Sequence, residues 1–249
     1  MQIVLQMPSF FDPNEEAAAL WERHLRASVD RVKAAGTEIS LKPSSVVPNL
    51  NELGARYIND LDVLGCMRDA EKEGADGIID YCFFDPALWA ARQLLSVPVV
   101  GGAEASMHLA SYLGRKFAIV TPQAVYVPAM HDAIEQYGFA SSALSHRPVR
   151  PIGKTEEDIF VSLATGKTNE LADVFVPVAR ACIADGADVI IIGCGVLGVA
   201  LSEAVGLREI DGVPVISMAV ASIKAIESLV SLQTAELPFK SKQGLWGTS

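Results

Sequence analysis

The stretch GADGIIDYCFFD, residues 74–85, comes twice in this chain: residues 186–194 read GADVIIIGC, with Gly, Ala, Asp, two isoleucines and a final Cys in register. Cys82 and Cys194 therefore occupy the same place in each copy. The match continues beyond the cysteines. Val97-Pro98-Val99-Val100 recurs as Val213-Pro214-Val215-Ile216, and Glu104-Ala105-Ser106-Met107 has its counterpart in Val220-Ala221-Ser222-Ile223. Each copy opens on a Gly and continues as a short apolar run, the pattern of a strand buried on both faces of a parallel sheet. A duplicated strand that ends in a cysteine predicts two thiols facing each other across a cleft.

Working outward, apolar runs alternate with helical segments. Strands are expected at 2–7, 37–42, 77–81, 97–100, 116–120, 189–192 and 213–216, with a weak one at 142–149. Helices are expected at 15–35, 53–73, within 83–95, and at 103–113, 126–137, 156–164, 169–184 and 219–231. Asp12 or Asn14 is suited to cap the first helix. Gly36 and Gly74 end the first two. Asp85 and Pro86 carry the signals of a helix start just after Cys82. Pro177 kinks a helix or marks its start. Residues 147–153, RPVRPIG, read as an inter-lobe linker, and the tail from 236 to 249 has little periodicity.

The alternation gives an α/β class with two pseudo-symmetric lobes, each a mostly parallel sheet flanked by helices. Lobe one is expected to hold residues 1–100 and 213–249, and lobe two residues 101–212, with crossovers near 97–101 and 208–216. In such sheets ligands bind beyond the carboxyl ends of the strands. The cleft between the lobes is thus the expected active site. Its candidate residues are Ser9, Phe10, Cys82, Phe83, Thr121, Cys194 and Gly195, with Phe84 and Val196 beside the two cysteines.

The gross composition narrows the function. The chain has 249 residues, half of them hydrophobic and 20% charged, with a net charge of −10. That charge argues against nucleic acid, which needs a basic footprint. No apolar run reaches the roughly 18 residues of a membrane span. The start, MQIVLQMPSFF, lacks a basic n-region and a small-residue cleavage site, so a cytoplasmic protein is expected. The four cysteines, Cys66, Cys82, Cys182 and Cys194, form no CxxC pair, and His24, His108, His131 and His146 are scattered. Neither a metal site nor a structural disulfide is expected. The partner is a small-molecule substrate.

A cysteine is commonly just a small buried hydrophobe. Two at matching strand ends call for more. Backbone N–H groups at such a point favour negative charge and lower a thiol pKa. One thiolate can then take a proton from a carbon next to a carbonyl while the other thiol returns one to the opposite face. Spare N–H groups hold the enolate charge in between. That is a two-base racemisation or epimerisation, and it needs no cofactor. Cys66 and Cys182 fall within helices and read as core. Thr121 either binds a substrate oxygen or makes the turn before Pro122. Glu104 faces the cleft or caps its helix, with capping favoured. His108 reads as packed core, and Asp85 as the cap of the helix after Cys82. Gly193-Cys-Gly-Val-Leu-Gly198 is a poor dinucleotide fingerprint, having no acidic partner about 20 residues on.

At these residues the chain resembles the aspartate/glutamate/hydantoin racemase superfamily, and most closely its hydantoin and allantoin racemase branch. The resemblance spans nearly the whole chain. It is carried by Cys82-Phe83-Phe84-Asp85-Pro86 with Ala90-Ala91-Arg92, by Glu104-Ala105-Ser106-Met107-His108-Leu109-Ala110, by Phe117-Ala118-Ile119-Val120-Thr121, by Gly193-Cys194-Gly195, and by Val213-Pro214-Val215-Ile216 with Ala221-Ser222-Ile223-Lys224. It implies Cys82 and Cys194 as proton acceptor and donor without metal or pyridoxal phosphate, a hydantoin-like or amino-acid-derived substrate, and a homo-oligomer. The branch opens with Asn-Pro-Asn-Thr after its first strand, where this chain has Met7-Pro8-Ser9-Phe10, and has Phe-Gly where this chain has Phe83-Phe84. These departures imply a less polar, more aromatic pocket and a substrate with an apolar or aromatic part, or a different carbonyl acid. Two other readings stay open: a cis–trans isomerase or decarboxylase of a small carboxylic acid on the same scaffold, and a non-catalytic small-molecule binding protein.

Overall fold

In the computed structural model, which describes residues 1–9, 16–46 and 51–246, strands and helices alternate along the chain. The first half runs β1 (Gln2–Gln6), α1 (Glu16–Val32), β2 (Glu38–Lys42), α2 (Leu53–Lys72), β3 (Gly77–Asp80), α3 (Leu88–Leu94), β4 (Val99–Gly101) and α4 (Gly102–Leu113). The second runs β5 (Phe117–Thr121), α5 (Val127–Gln136), β6 (Val149–Pro151), α6 (Glu156–Ala164), α7 (Asn169–Ala184), β7 (Val189–Ile192), α8 (Gly195–Val199), β8 (Glu209–Ile210), β9 (Val213–Ile216) and α9 (Met218–Ser231). The caps expected from Asp12 or Asn14 lie outside the described residues.

The chain forms two compact units. One takes the N-terminal strand, Val32–Gly102 and Ser222–Ser249; the other takes α1 up to Arg31 and Ala103–Ala221. The first unit holds a four-stranded sheet in the order β2-β1-β3-β4, parallel throughout. The second holds a five-stranded sheet in the order β6-β5-β7-β9-β8, parallel except for the β8–β9 pair. The repeated apolar runs β3 and β7 are fully buried near the middle of each sheet. The class is α/β with parallel-dominated sheets flanked by helices.

The two GAD tripeptides explain why the repeat sits where it does. Gly74 and Gly186 adopt φ of +95° and +101°, a left-handed conformation that glycine enters without a Cβ penalty. They close α2 and α7. The amides of Ala75 and Ala187 turn back to the carbonyls of Ala70 and Cys182, at 3.1 and 3.0 Å. Asp76 then ties itself to the start of β1: its carboxylate accepts the Gln2 amide at 2.7 Å, and its own amide donates to the Gln2 carbonyl at 2.7 Å. Asp188 does the same ahead of β5, accepting from the amides of Arg115 and Lys116 at 3.0 and 2.8 Å and donating to the Lys116 carbonyl at 2.9 Å. Each tripeptide ends a helix, turns the chain, and sets the register of a central strand.

Three expectations are corrected. The strand at 213–216 pairs with β7, not with lobe one. The duplication itself accounts for this: β9 stands to β7 as β4 stands to β3, so the return to the first unit comes only at Ser222. The supposed linker at 147–153 contains β6, which pairs in parallel with β5. Its prolines are tolerated because β6 is an edge strand and lacks ladder partners on one side. The weak strand at 142–149 shrinks to a single bridge between Phe117 and Ala143. Pro177 lies inside α7, which continues on both sides of it. The weakly periodic tail is anchored as well. Lys240 Nζ donates to the Arg92 carbonyl at 3.0 Å, at the C-terminal end of α3, where a cation is favoured.

Candidate functional site

In the first unit, Cys82 follows β3 on a tight turn. The Asp85 amide donates to the Cys82 carbonyl at 3.2 Å, and the Leu88 amide to the Asp85 carbonyl at 3.3 Å. Asp85 and Ala87 both take left-handed backbone, with φ of +46° and +58°. Conformations of this kind in non-glycine residues are sparsely populated and collect at functional sites. The helix begins only at Leu88, with Ala87 at the cap position. Asp85 is therefore not the cap that the sequence suggests. It is a buried acid whose side chain lies over Gly101: a Cβ there would come within 2.5 Å of its Cγ.

The residues flanking Cys82 differ in role. Cys82 and Phe83 are 7% and 4% exposed, so the ring of Phe83 serves the core. Phe84 is half-exposed, and the Arg56 guanidinium sits over its face, 4.2 Å from the ring centroid. That is cation–π distance. The loop after β1 belongs to the same unit. Its Pro8 carbonyl accepts from Ser44 Oγ at 2.9 Å and from Asn59 Nδ2 at 2.6 Å. Met7 is buried and Ser9 half-buried. Phe10 lies outside the described residues. Arg56 and Asn59 left no signal in the sequence, since nothing in α2 marks which of its side chains reach the strand ends.

In the second unit, Cys194 follows β7 at the cap position of α8, with extended backbone. Gly193 lets the turn close: a Cβ there would meet Ile119 Cγ2 at 2.6 Å and Thr121 Cβ at 3.3 Å. Thr121 is fully buried and is the last residue of β5. Its hydroxyl donates to the Gly193 carbonyl at 3.2 Å, which commits that donor to the turn carrying Cys194. Gly195 is half-buried and Val196 buried.

The Cys194 thiol corrects the expectation of a lowered pKa. Burial first, and the Glu156 carboxylate second, push it up to about 12, against the opposing pull of the Leu197 and Val196 amides. The amides do what a helix start should do for a thiolate, but desolvation of the charged form is larger. At neutral pH Cys194 is a thiol.

Glu156 is a site residue that the sequence reading missed. It opens α6, whose start is set by a capping box. The Asp158 amide donates to Thr155 Oγ1 at 3.1 Å, and the Thr155 amide to Asp158 Oδ2 at 2.7 Å. The motif Thr155-x-x-Asp158 was a legible helix start, but nothing local says that its first residue turns inward. The Tyr126 hydroxyl donates to Glu156 Oε1 at 3.1 Å and accepts from Gln123 Nε2 at 3.0 Å. Burial raises the Glu156 pKa, and the Tyr126 bond works against that rise.

His108, read as core, is exposed on α4 and packs edge-on against Phe139, with centroids 4.9 Å apart. Glu104 lies in the first turn of α4. Cys182 is buried in α7, while Cys66 is partly exposed. Among the described residues, no group of three or more His, Cys, Asp or Glu side chains could hold a metal ion, and no helix is long and apolar enough to cross a membrane.

Residues 14–226 match the family model described as Asp/Glu/Hydantoin racemase. A hydantoin racemase of Rhizobium meliloti is 29% identical over 201 residues, which cover 80% of this chain and 79% of that protein. A hydantoin racemase of Pseudomonas sp. (strain NS671) is 30% identical over 200 residues, 78% of this chain and 74% of that protein. The solved structure of allantoin racemase from Klebsiella pneumoniae matches with a TM-score of 0.79 at 30% identity, covering 100% of this chain and 93% of that one.

Proposed function

The chain belongs to the Asp/Glu/hydantoin racemase family and is accordingly an isomerase of the racemase type; on that premise we propose a cofactor-independent racemase in which one of Cys82 and Cys194 removes a proton from the substrate and the other delivers a proton to the opposite face. In one direction the Cys82 thiolate takes the proton from the carbon next to the carbonyl. The C–H bond breaks, an S–H bond forms, and the electron pair moves onto the carbonyl oxygen as an enolate. The Cys194 thiol then gives its proton to the opposite face of that carbon and becomes a thiolate. The reverse direction exchanges the roles.

One observation carries this reading: the two thiols end equivalent strands of a duplicated unit, each on a turn built by its own neighbours. The resting state of Cys194 fits the role of proton donor, since burial holds it as a thiol. The Val196 and Leu197 amides favour the thiolate that donation leaves behind. Glu156 raises the proton affinity of Cys194 and so drives the proton back, which a reversible reaction also requires.

For the substrate we propose a hydantoin whose 5-substituent is apolar or aromatic. Phe84, half-exposed beneath Arg56, and buried Met7 stand where more polar residues would suit the ureido group of allantoin. The test compares racemisation of allantoin and of 5-benzylhydantoin, each corrected for its uncatalysed rate. A kcat/KM at least tenfold higher for 5-benzylhydantoin is expected. A preference for allantoin would sink the substrate assignment and leave the two-thiol mechanism intact.

A further inference from the structure

The carboxyl ends of β1, β3 and β4 carry Gln6, Asp80 and Gly101 in one lateral row, Gln6 facing Asp80 and Asp80 facing Gly101. Lateral neighbours in a parallel sheet lie about 4.8 Å apart and share a face. On that face the missing side chain of Gly101 leaves the space into which Asp85 projects. The Asp85 carboxyl therefore lies beside Asp80, and Asp85 is the last residue of the Cys82 turn.

Asp80 is fully buried. Among the described residues, neither of its carboxyl oxygens has a hydrogen-bond partner, and neither does the buried Oε1 of Gln6. The Gln6 amide nitrogen donates to the Met7 carbonyl at 3.0 Å, which leaves its oxygen as the unsatisfied end. An ionised Asp80 would set acceptor against acceptor on the Gln6 side and charge against charge on the Asp85 side. A neutral carboxylic acid has one O–H to offer. The charged groups around it point the same way: burial first, then Asp85 from the turn and Asp60 from α2, raise its pKa well above the carboxylate range, and only Arg92 from α3 opposes them. Lys42, next along the row on β2, is paired with Glu73.

The internal repeat supplies the control. Ile192 stands in the second copy where Asp80 stands in the first, and it is equally buried. The fold needs only an apolar side chain at this place. A fully buried acid, in the copy that carries a second acid on its cysteine turn, points to chemistry.

We propose that Asp80 is a positioning residue for Cys82: it stands as a neutral acid whose proton is held against the Asp85 carboxyl, and this keeps the 82–85 turn closed. The proposal rests on Cys82 being one of the two proton-transfer groups. When Asp80 ionises, two carboxylates meet under the turn with Asp60 behind them, and the turn opens. The loss of Cys82 from its place then sets the upper pH limit of activity.

The test uses the full-length protein and two variants, Asp80→Asn and Asp85→Asn. Melting temperature is followed from pH 4 to 10, together with the rate at which Cys82 alone, read by peptide mass spectrometry, is alkylated by iodoacetamide. A folded-state pKa above the unfolded value means that the native state keeps a proton which the unfolded chain releases near pH 4. Wild-type stability therefore falls as pH rises from there until Asp80 ionises in the native state. Asp80→Asn has no such proton, so its melting temperature should gain on the wild type steadily as pH rises. The wild type should show a step in Cys82 alkylation where Asp80 ionises, and Asp80→Asn should show none. Asp85→Asn removes the neighbouring charge and should move the wild-type step to lower pH. If Asp80→Asn fails to fold, the Asp85→Asn shift still decides the matter. Parallel melting curves, or a Cys82 profile that neither variant moves, would overturn the proposal. These readouts need no substrate, so they separate it from failure of the racemase reading, which would appear as absent turnover with the same pH steps.

Discussion

Asp80 and Ile192 occupy the same place in two copies of one unit, two residues ahead of Cys82 and Cys194. Gly101 and Ser217 stand at matching places after the next strand. Besides the apolar strand and its cysteine, the copies share backbone devices: the left-handed glycine, the alanine amide turned back on its helix, the aspartate tied to the neighbouring strand. They differ in the polar groups around the cysteines. The first copy keeps two acids against one another beneath its cysteine turn. The second gives its equally buried thiol two amides and sets one carboxylate near it, held by a tyrosine. The difference teaches that the fold delivers two equivalently placed thiols while leaving their neighbourhoods free to differ. A racemase needs that freedom, because its two bases must rest in opposite protonation states at the same pH.

The largest expected effect comes from removing either thiol. Cys82→Ser and Cys194→Ser should each lower turnover about 1,000-fold, in the range of positioned acid–base groups. The double variant should be little worse than either single one, because residues acting as a unit are not additive. Steady-state racemisation measured by optical rotation checks this. Two independent losses that multiply in the double variant would mean that the thiols do not act in one proton path.

The next effect breaks the asymmetry directly. Ile192→Asp places an acid in the copy that has neither an empty glycine position nor a partner acid on its turn. Burying a polar group without a partner costs about 3 kcal/mol or more, and chemical denaturation at pH 7 should show a loss of that size. Tolerance of Ile192→Asp would mean that the site of Asp80 is not special.

The smallest effect sharpens the second neighbourhood. Glu156 raises the Cys194 pKa, so Glu156→Gln should lower it from about 12. Alkylation of Cys194, followed against pH by mass spectrometry, should then begin at lower pH than in the wild type. An unmoved profile would assign the whole rise to burial.

Much of the fold is legible in the amino-acid sequence alone. The repeat discloses two parallel sheets and the position of each cysteine, because apolar runs after Gly-Ala-Asp have few other ways to fold. β6 is not legible. Two residues between Pro148 and Pro151 carry no periodicity, and only the neighbouring β5 shows that they belong to an edge strand. The left-handed backbone at Asp85 is also hidden, since Asp-Pro after a strand ordinarily signals a helix start, and it is the space over Gly101 that draws the acid inward. Glu156 and Arg56 reach their sites from helices far away in the chain, and local sequence does not record such approaches. The sign of the Cys194 shift depends on weighing burial against two amides, which needs a buried surface and not a motif. The Asp80–Ile192 mismatch, by contrast, stands in plain sight within the repeat. Its meaning emerges only with the register that sets Asp80 between Gln6 and Gly101.

The central claim is that one thiol takes a proton from the substrate and the other gives a different one to the opposite face. Its most direct test is racemisation of a single enantiomer of 5-benzylhydantoin in heavy water, with deuterium at C5 read by NMR alongside optical rotation. In the wild type, deuterium should enter the product enantiomer at the rate at which it forms, and incorporation should fall to the uncatalysed rate in Cys82→Ser, in Cys194→Ser and in the double variant. Enzyme-dependent exchange at C5 persisting in the double variant would contradict the account.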